Sequence, residues 1–203
     1  MNKSLTILLL SFCVVGKALA LNENAPIKLD HGFINIGYDW VEVEGADFNN
    51  VFSVEAGMRW SLNQALFLET SLTGVNDSDT DTVEDNRGAY RLTLDSWDFL
   101  LGGVYQHSIS DTLLLYGRGG LLMYRMQLDL EESFYDLKAA GSDSVSDNGF
   151  GLYAGLGCQL QLDPNWYVGS EFVFKRRSDF LDDSSRPFDV DTYSLNLGVR
   201  YHF

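Results

Sequence analysis

The residues best suited to proton transfer in this sequence are its three histidines, His31, His107 and His202. A histidine acts as a general base, or activates a serine, when an acidic residue orients it. Ser108 follows His107, but the strand pattern described below places His107 in a short turn and the other two at strand ends. No histidine comes near both a serine and an acid on the upper part of a strand. The sequence therefore does not predict an enzyme.

Acidic residues are concentrated in several polar segments. Asp77, Asp79 and Asp81 are spaced like the first ligands of a calcium-binding EF-hand loop. However, Thr82 stands where that loop needs glycine, and Gly88 stands where it needs glutamate. We therefore expect no tuned metal site and no cofactor. The acidic loops are expected to be solvated or to bind cations loosely.

Composition and the N-terminal segment narrow the class of protein. The chain has 203 residues and a formal net charge of −15 at pH 7. Because nucleic-acid binding depends on clustered lysine and arginine, no nucleic-acid partner is expected. Residues 1–20 combine Lys3, an uncharged apolar core and the sequence Ala18-Leu19-Ala20, which is typical of a cleaved secretory signal peptide. The remaining residues, 21–203, are expected to form one domain.

Residues 21–203 show the alternation of apolar and polar side chains that indicates strands, and helical spacing is poor. The last segment is the clearest, with one apolar face formed by Tyr193, Leu195, Leu197, Val199, Tyr201 and Phe203. Eight segments follow the pattern: 33–44, 50–60, 66–74, 89–106, 113–130, 149–162, 166–177 and 190–203. Short turns alternate with longer polar loops, among them 131–148. The predicted fold is all-β, an eight-stranded up-and-down antiparallel barrel.

The apolar faces of such a barrel point either into a hollow interior, as in a soluble lipocalin, or outward to lipid. Aromatic residues gather at strand ends on the apolar face, where a membrane barrel places its interfacial girdles. They are Trp40, Trp60, Trp97, Tyr105, Trp166, Tyr201 and Phe203. A lipocalin needs no such girdle, so the pattern favours a transmembrane β-barrel.

The two longest strands give a second test of this choice. In 89–106, the odd positions from Tyr105 to Trp97 are apolar or glycine, and the same face then continues as Asp95, Thr93 and Arg91. Polarity inverts at the same height in 113–130. The apolar stretch below the inversion has about the 9–11 residues of a membrane strand. We therefore expect these two strands to project beyond the bilayer as a ribbon.

The polar faces carry charges that should meet inside the barrel. They are Glu55, Arg59, Glu69, Arg118, Glu171, Lys175 and Arg200. An eight-stranded barrel is only wide enough to hold side chains. The favoured interpretation is a plug of salt bridges, and the alternative is a gated path for small ions.

The chain resembles the small OmpA/OmpX-type outer-membrane barrels. The resemblance rests on the signal peptide, the eight amphipathic strands, the glycine-rich centres Leu101-Gly102-Gly103-Val104-Tyr105 and Tyr116-Gly117-Arg118-Gly119-Gly120, and the terminal Tyr201-His202-Phe203. It implies the outer membrane of a Gram-negative bacterium, contact with lipid and lipopolysaccharide, and assembly by the barrel-assembly machinery through the C-terminal strand. Because no residues follow the last strand, a peptidoglycan-binding domain is not expected.

The resulting functional prediction is a non-enzymatic barrel with a structural or cell-surface interaction role. The resemblance to OmpX-type barrels implies adhesion, serum resistance or envelope maintenance. The alternatives are a narrow ion-conducting pore and, with less support, a lipid A-modifying enzyme. The ribbon could bind an extracellular protein by strand addition. More simply, its apolar side chains pack together as a small extracellular core; these are Tyr90, Leu92, Met126, Leu128, Phe134 and Tyr135.

Overall fold

The computed structural model describes residues 27–43, 46–79, 83–84, 88–134, 139–180 and 188–203. The predicted signal peptide, 1–20, lies outside the described residues, as do Asp81 and Thr82 of the acidic segment. Within the described part of the chain, no helix is long and apolar enough to cross a membrane. The described secondary structure is β-strand throughout.

Nine strands follow one another in the described part of the chain. They are β1 (Lys28–Val43), β2 (Ala46–Ser61), β3 (Leu66–Asp79), β4 (Val83–Glu84), β5 (Gly88–Ser108), β6 (Leu113–Phe134), β7 (Ala139–Gln161), β8 (Trp166–Phe180) and β9 (Phe188–His202). Their order in the sheet is β3-β2-β1-β9-β8-β7-β6-β5-β4, and an additional β3–β5 pairing closes it. The two-residue strand β4 pairs only with the start of β5, and β3 and β5 close the barrel, so the barrel itself has eight antiparallel strands, as the sequence predicted.

Three four-residue turns join β2 to β3, β5 to β6 and β7 to β8 at one end of the barrel, here called the short-turn end. Each turn uses one side-chain oxygen to accept backbone N–H groups two and three residues later. Asn63 Oδ1 accepts from Ala65 and Leu66 at 2.9 Å each, and Asp163 and Ser110 do the same in the other two turns. Asn, Asp and Ser favour turns for this reason.

The interior contains apolar and polar layers. Twelve buried residues, among them Leu94, Leu122 and Phe180, form a large apolar cluster toward the loop end. A smaller cluster of Phe67, Val104 and Tyr116 lies near the short-turn end. Buried charged side chains lie among these layers.

The prediction that 131–148 is a loop was wrong for 131–134 and 139–148, and 135–138 lie outside the described residues. Residues 131–134 continue β6, and 139–148 begin β7. The segment is rich in Asp, Ser and Gly, a composition that usually indicates a turn. Here the two strands project beyond the apolar wall, so water reaches them and polar residues suit them as well as apolar ones.

Candidate functional site: the charged lumen and the projecting ribbon

Arg118 on β6 is the centre of the charged lumen. Its Nη1 donates to Glu55 Oε1 and to Glu69 Oε1, each at 2.7 Å, and its Nη2 donates to Glu55 Oε2 at 2.9 Å. It also pairs with Glu171. The three carboxylates come from β2, β3 and β8, so one guanidinium links four strands across the barrel interior. All four side chains are buried.

Two further arginines complete this network toward the short-turn end. Arg59 pairs with Glu69, and Arg200 Nη2 donates to the Tyr116 hydroxyl at 2.5 Å. The Tyr116 hydroxyl in turn donates to Glu171 Oε2 at 2.7 Å. Both guanidinium groups stack over the Tyr116 ring, at 4.8 Å for Arg59 and 4.4 Å for Arg200, a cation–π arrangement. Three arginines therefore face three glutamates, and the network is balanced in charge.

Lys175 belongs to a second, separate cluster of ion pairs. Its Nζ donates to Asp98 Oδ2 at 3.1 Å, and Arg177 binds the same carboxylate at 3.0 and 2.6 Å. Arg177 also donates to Thr192 at 2.8 Å. Three members of these clusters were not predicted from the sequence: Asp98, Arg177 and Tyr116. The alternation of side chains in β5 and β8 could have identified two of them. Asp98 lies between the outward residues Trp97 and Phe99, and Arg177 lies two positions after the inward Lys175.

The outward face forms the lipid-facing wall. Ile36, Leu197 and Leu156 are 62%, 65% and 73% exposed, and no described outward side chain between the upper and lower aromatic residues is charged. All seven predicted interfacial aromatics lie on this face. Trp40 and Trp97 lie toward the loop end, and the others, Trp60, Tyr105, Trp166, Tyr201 and Phe203, lie toward the short-turn end.

Above the wall, β5, β6 and β7 all continue, and residues 88–97 of β5 pair with 125–134 of β6. The predicted ribbon of 89–106 and 113–130 therefore has a third strand, and the word ribbon below means residues 125–134 of β6 and 139–148 of β7. Outward Met123 is followed on β6 by exposed Arg125, which marks the change in polarity. The two strands pair without a break from Arg125–Asn148 to Phe134–Ala139. Ten residues of strand extend about 30 Å. Hydrogen bonds from Ser144 and Gln127 lower the pKa of the Asp129 carboxyl on this ribbon.

The apolar side chains at the base of the ribbon pack into the barrel interior. Met126 is buried and Leu128 is partly buried, and both contact the upper apolar cluster. The side chains of Tyr90, Leu92 and Phe134, and the whole of Tyr135, lie outside the described residues. A small extracellular core at the tip of the ribbon therefore stays a prediction.

The three histidines lie at the short-turn end. His107 is exposed next to the β5–β6 turn. His31 and His202 are direct partners across the β1–β9 pair. Ser108, the serine next to His107 in sequence, is likewise exposed at the end of β5.

A closed eight-stranded barrel with an uncharged apolar wall and a charged interior is a transmembrane β-barrel of the Gram-negative outer-membrane type. The family model described as "Outer membrane protein beta-barrel domain" matches residues 5–203, and the chain belongs to this family. The expected membership of the small outer-membrane barrels is thus confirmed. No sequence among curated proteins matches the chain.

Several solved structures share the fold at low sequence identity. The attachment invasion locus protein Ail of Yersinia pestis is 18% identical with a TM-score of 0.56, and the match covers 87% of this chain and 99% of Ail. Neisserial surface protein A is 12% identical with a TM-score of 0.57, covering 86% and 97%. CarO2 of Acinetobacter baumannii is 11% identical with a TM-score of 0.51, covering 88% and 100%. At these identities the similarity establishes the fold.

Proposed function

We propose that this chain is a non-enzymatic cell-surface barrel that binds an extracellular protein partner through the ribbon. The observation that carries this proposal is the outer edge of β7. Pairing between β7 and β8 starts at Gly151 and Arg177, so residues 139–150 pair with β6 on one side and with no described strand on the other. A backbone edge that no described strand covers can accept an added strand through main-chain hydrogen bonds.

The composition of this edge suits recognition better than self-association. Its sequence, AAGSDSVSDNGF, is mostly small and polar and carries Asp143 and Asp147. Charged residues on an exposed edge discourage pairing between identical chains. A partner with a complementary, basic strand would gain both the main-chain pairing and charge attraction.

The fold neighbours are compatible with a surface role. The Yersinia pestis protein is described as an attachment invasion locus protein, and one of its structures holds the heparin analogue sucrose octasulfate. For the present chain, attachment is our proposal and rests on the ribbon. We infer that serum resistance and envelope maintenance would use the same surface.

We propose that the charged lumen is a structural plug. Arg118 and its three glutamates join opposite walls, and side chains of this size fill an eight-stranded barrel. An ion would have to displace buried, mutually paired charges, which is costly. This argues against the narrow pore, and the positions of the histidines argue against a lipid A-modifying enzyme.

We further propose that residues 1–20 are removed on export and that 21–203 form the barrel domain. The last strand, β9, presents Leu195, Leu197, Val199, Tyr201 and Phe203 on its outward face. This alternating aromatic terminus is our candidate signal for the barrel-assembly machinery. The short-turn end then faces the periplasm, and the acidic loops face lipopolysaccharide outside.

The ribbon can be shortened above the barrel wall, a change that also removes the β6 partners of residues 88–93 on β5. Leu128 and Val145 are cross-strand partners, so residues 129–144 can be replaced by an Asn-Gly turn. Bacteria displaying this variant should adhere to cultured epithelial cells at the background level, while the native chain adheres above it. Equal adhesion by the shortened variant would contradict the proposal.

A matched control separates recognition of the edge from recognition of side chains. Ser142, Ser144 and Ser146 are exposed on β7, and changing all three to threonine keeps a strand with the same backbone edge. This control should adhere like the native chain. A loss of adhesion here, with a folded barrel, would show that side chains rather than the edge carry recognition.

A further inference from the structure

A cluster of one carboxylate and two imidazoles lies at the short-turn end, where the first and last strands of the barrel meet. Asp30 and His31 are consecutive on β1, and His31 faces His202 on β9. The register of β1 against β2 shifts between Leu29 and His31. Such a bulge re-aims a side chain, which here brings Asp30 beside both rings.

The ligand atoms of this cluster all lie within 4.8 Å of one another, close enough for one metal ion to draw them together. Asp30 Oδ2 lies 2.7 Å from His31 Nδ1 and 3.5 Å from His202 Nδ1. With metal–ligand bonds of about 2.0–2.1 Å, the ligand atoms of a tetrahedral site lie about 3.3 Å apart. Among the described residues, this is the group of His, Cys, Asp or Glu side chains whose ligand atoms come together in this way.

The surroundings hold the two rings in place. They stack at 4.7 Å between centroids, Phe67 meets His31 edge-on, and Tyr167 packs on His202 at 4.7 Å. The backbone N–H of Phe203 donates to the carbonyl oxygen of Asp30 at 3.0 Å, which fixes the bulge. Because packing already restricts both rings, an ion that turned them toward one point would have less side-chain freedom to remove.

Within the described part of the chain, neither ring is hydrogen-bonded away from the cluster. The His31 side chain is fully buried with its Nδ1 against Asp30, and the Nε2 atoms of His31 and His202 have no hydrogen-bond partner among the described residues. The side chains of Asp30 and His202 are each about a quarter exposed, so the site opens to the short-turn mouth of the barrel. A small ion could therefore enter from that side.

We propose that Asp30, His31 and His202 form a binding site for a divalent transition-metal ion, with zinc as the probe. Two imidazole nitrogens and one carboxylate oxygen suit Zn²⁺, and three protein ligands leave a fourth position for water. Arg59 and Arg200 act on His31 through their charge, but both are engaged in the lumen network. The bound ion would link β1 to β9 and so reinforce the seam that closes the barrel.

The test uses the full barrel, 21–203, without a polyhistidine tag, in detergent micelles. Competition with a chromophoric chelator should show one Zn²⁺ per chain, and Co²⁺ should give the visible absorption of a tetrahedral site. His202→Ala should abolish both signals. Asp30→Asn should weaken zinc binding by about tenfold or more, the scale of losses at metal sites. His107→Ala removes an exposed histidine elsewhere and should bind zinc like the native chain.

The result of the zinc-binding test does not depend on the result of the adhesion experiment. Folding of each variant is checked by heat-modifiable mobility, and Asp30→Asn changes a half-buried side chain that the barrel can lose without collapse. Zinc should also raise the urea midpoint of the native barrel but not that of Asp30→Asn. Absence of zinc binding by the native chain, or equal binding by the native chain and folded Asp30→Asn, would overturn the site.

Discussion

Arg118 on β6 donates two parallel hydrogen bonds, of 2.7 and 2.9 Å, to Glu55 on β2 across the interior of the barrel. These strands are separated in the sheet by β5 and β3, so the pair ties parts of the wall that share no backbone ladder. A bidentate pair of this kind fixes geometry as well as charge. The Arg118 network therefore connects walls of the lumen that the backbone hydrogen bonds do not join directly.

Replacing Arg118 by methionine should destabilise the barrel strongly. It leaves Glu55, Glu69 and Glu171 buried with one cation fewer, and breaking a buried pair costs about 3–5 kcal/mol. Denaturant unfolding of the barrel in micelles measures the free energy of unfolding. Arg125→Met, at an exposed position on the same strand, is the control and should change stability little. Equal effects of the two variants would contradict a structural role for the network.

In the second cluster, the carboxylate should matter more than either cation alone. Asp98→Asn leaves both Lys175 and Arg177 without their shared anion, whereas Lys175→Met leaves Asp98 bound twice by Arg177. We expect a loss of about 3–5 kcal/mol for Asp98→Asn and a smaller one for Lys175→Met. The same unfolding measurement compares them. The reverse order would show that Lys175 is the main partner.

The lumen charges show what the alternation of side chains along a strand can predict and what it cannot. Six of the lumen charges alternate with apolar neighbours, and this alternation alone predicts that their side chains point into the barrel. They are Glu55, Arg59, Glu69, Arg118, Glu171 and Arg200. Alternation does not say which charge meets which. Lys175 was grouped with the glutamates, but the tilt and stagger of the strands bring it to Asp98.

The residues that the sequence did not reveal are those set by irregularities of the backbone. Asp30 and His31 are neighbours that regular alternation would send to opposite faces, and only the bulge in β1 brings them together. Their approach to His202 depends on the pairing of the first strand with the last. The ribbon strand at 139–148 was missed because its composition is that of a loop.

The glycine pair on β5 and β6 should tolerate no side chain. Gly102 and Gly120 are cross-strand partners, and a Cβ on Gly120 would lie 2.2 Å from the carbonyl oxygen of Leu101. Gly120→Ala should lower the free energy of unfolding by about 1–3 kcal/mol, since the clash is with backbone. In Gly103→Ala, the control, the new Cβ would meet its nearest atom at 4.0 Å. Equal stability of these two variants would contradict this packing.

A charge on the lipid-facing wall should be costly only within its apolar band. Leu197→Arg places a guanidinium at an outward position in the middle of β9 and should cost about 2–4 kcal/mol. Glu42→Arg, outward but above Trp40, is the control and should cost about 0–1 kcal/mol. Unfolding in lipid vesicles measures the free energy of unfolding of both variants. A small loss of stability in Leu197→Arg would argue against lipid contact at that position.

Labelling of single cysteines on intact cells shows whether lipid covers the outward wall and whether the ribbon extends into the external medium. In a Cys158→Ser background, a membrane-impermeant maleimide is applied to Ser144→Cys on the ribbon, Ile36→Cys on the wall and Ser110→Cys in a short turn. We expect the cysteine at position 144 to be labelled on intact cells and the one at 110 only after the outer membrane is permeabilised. The cysteine at 36 should be labelled in neither condition. Labelling at 36 as fast as at 144, or protection of 144 on intact cells, would contradict this expectation.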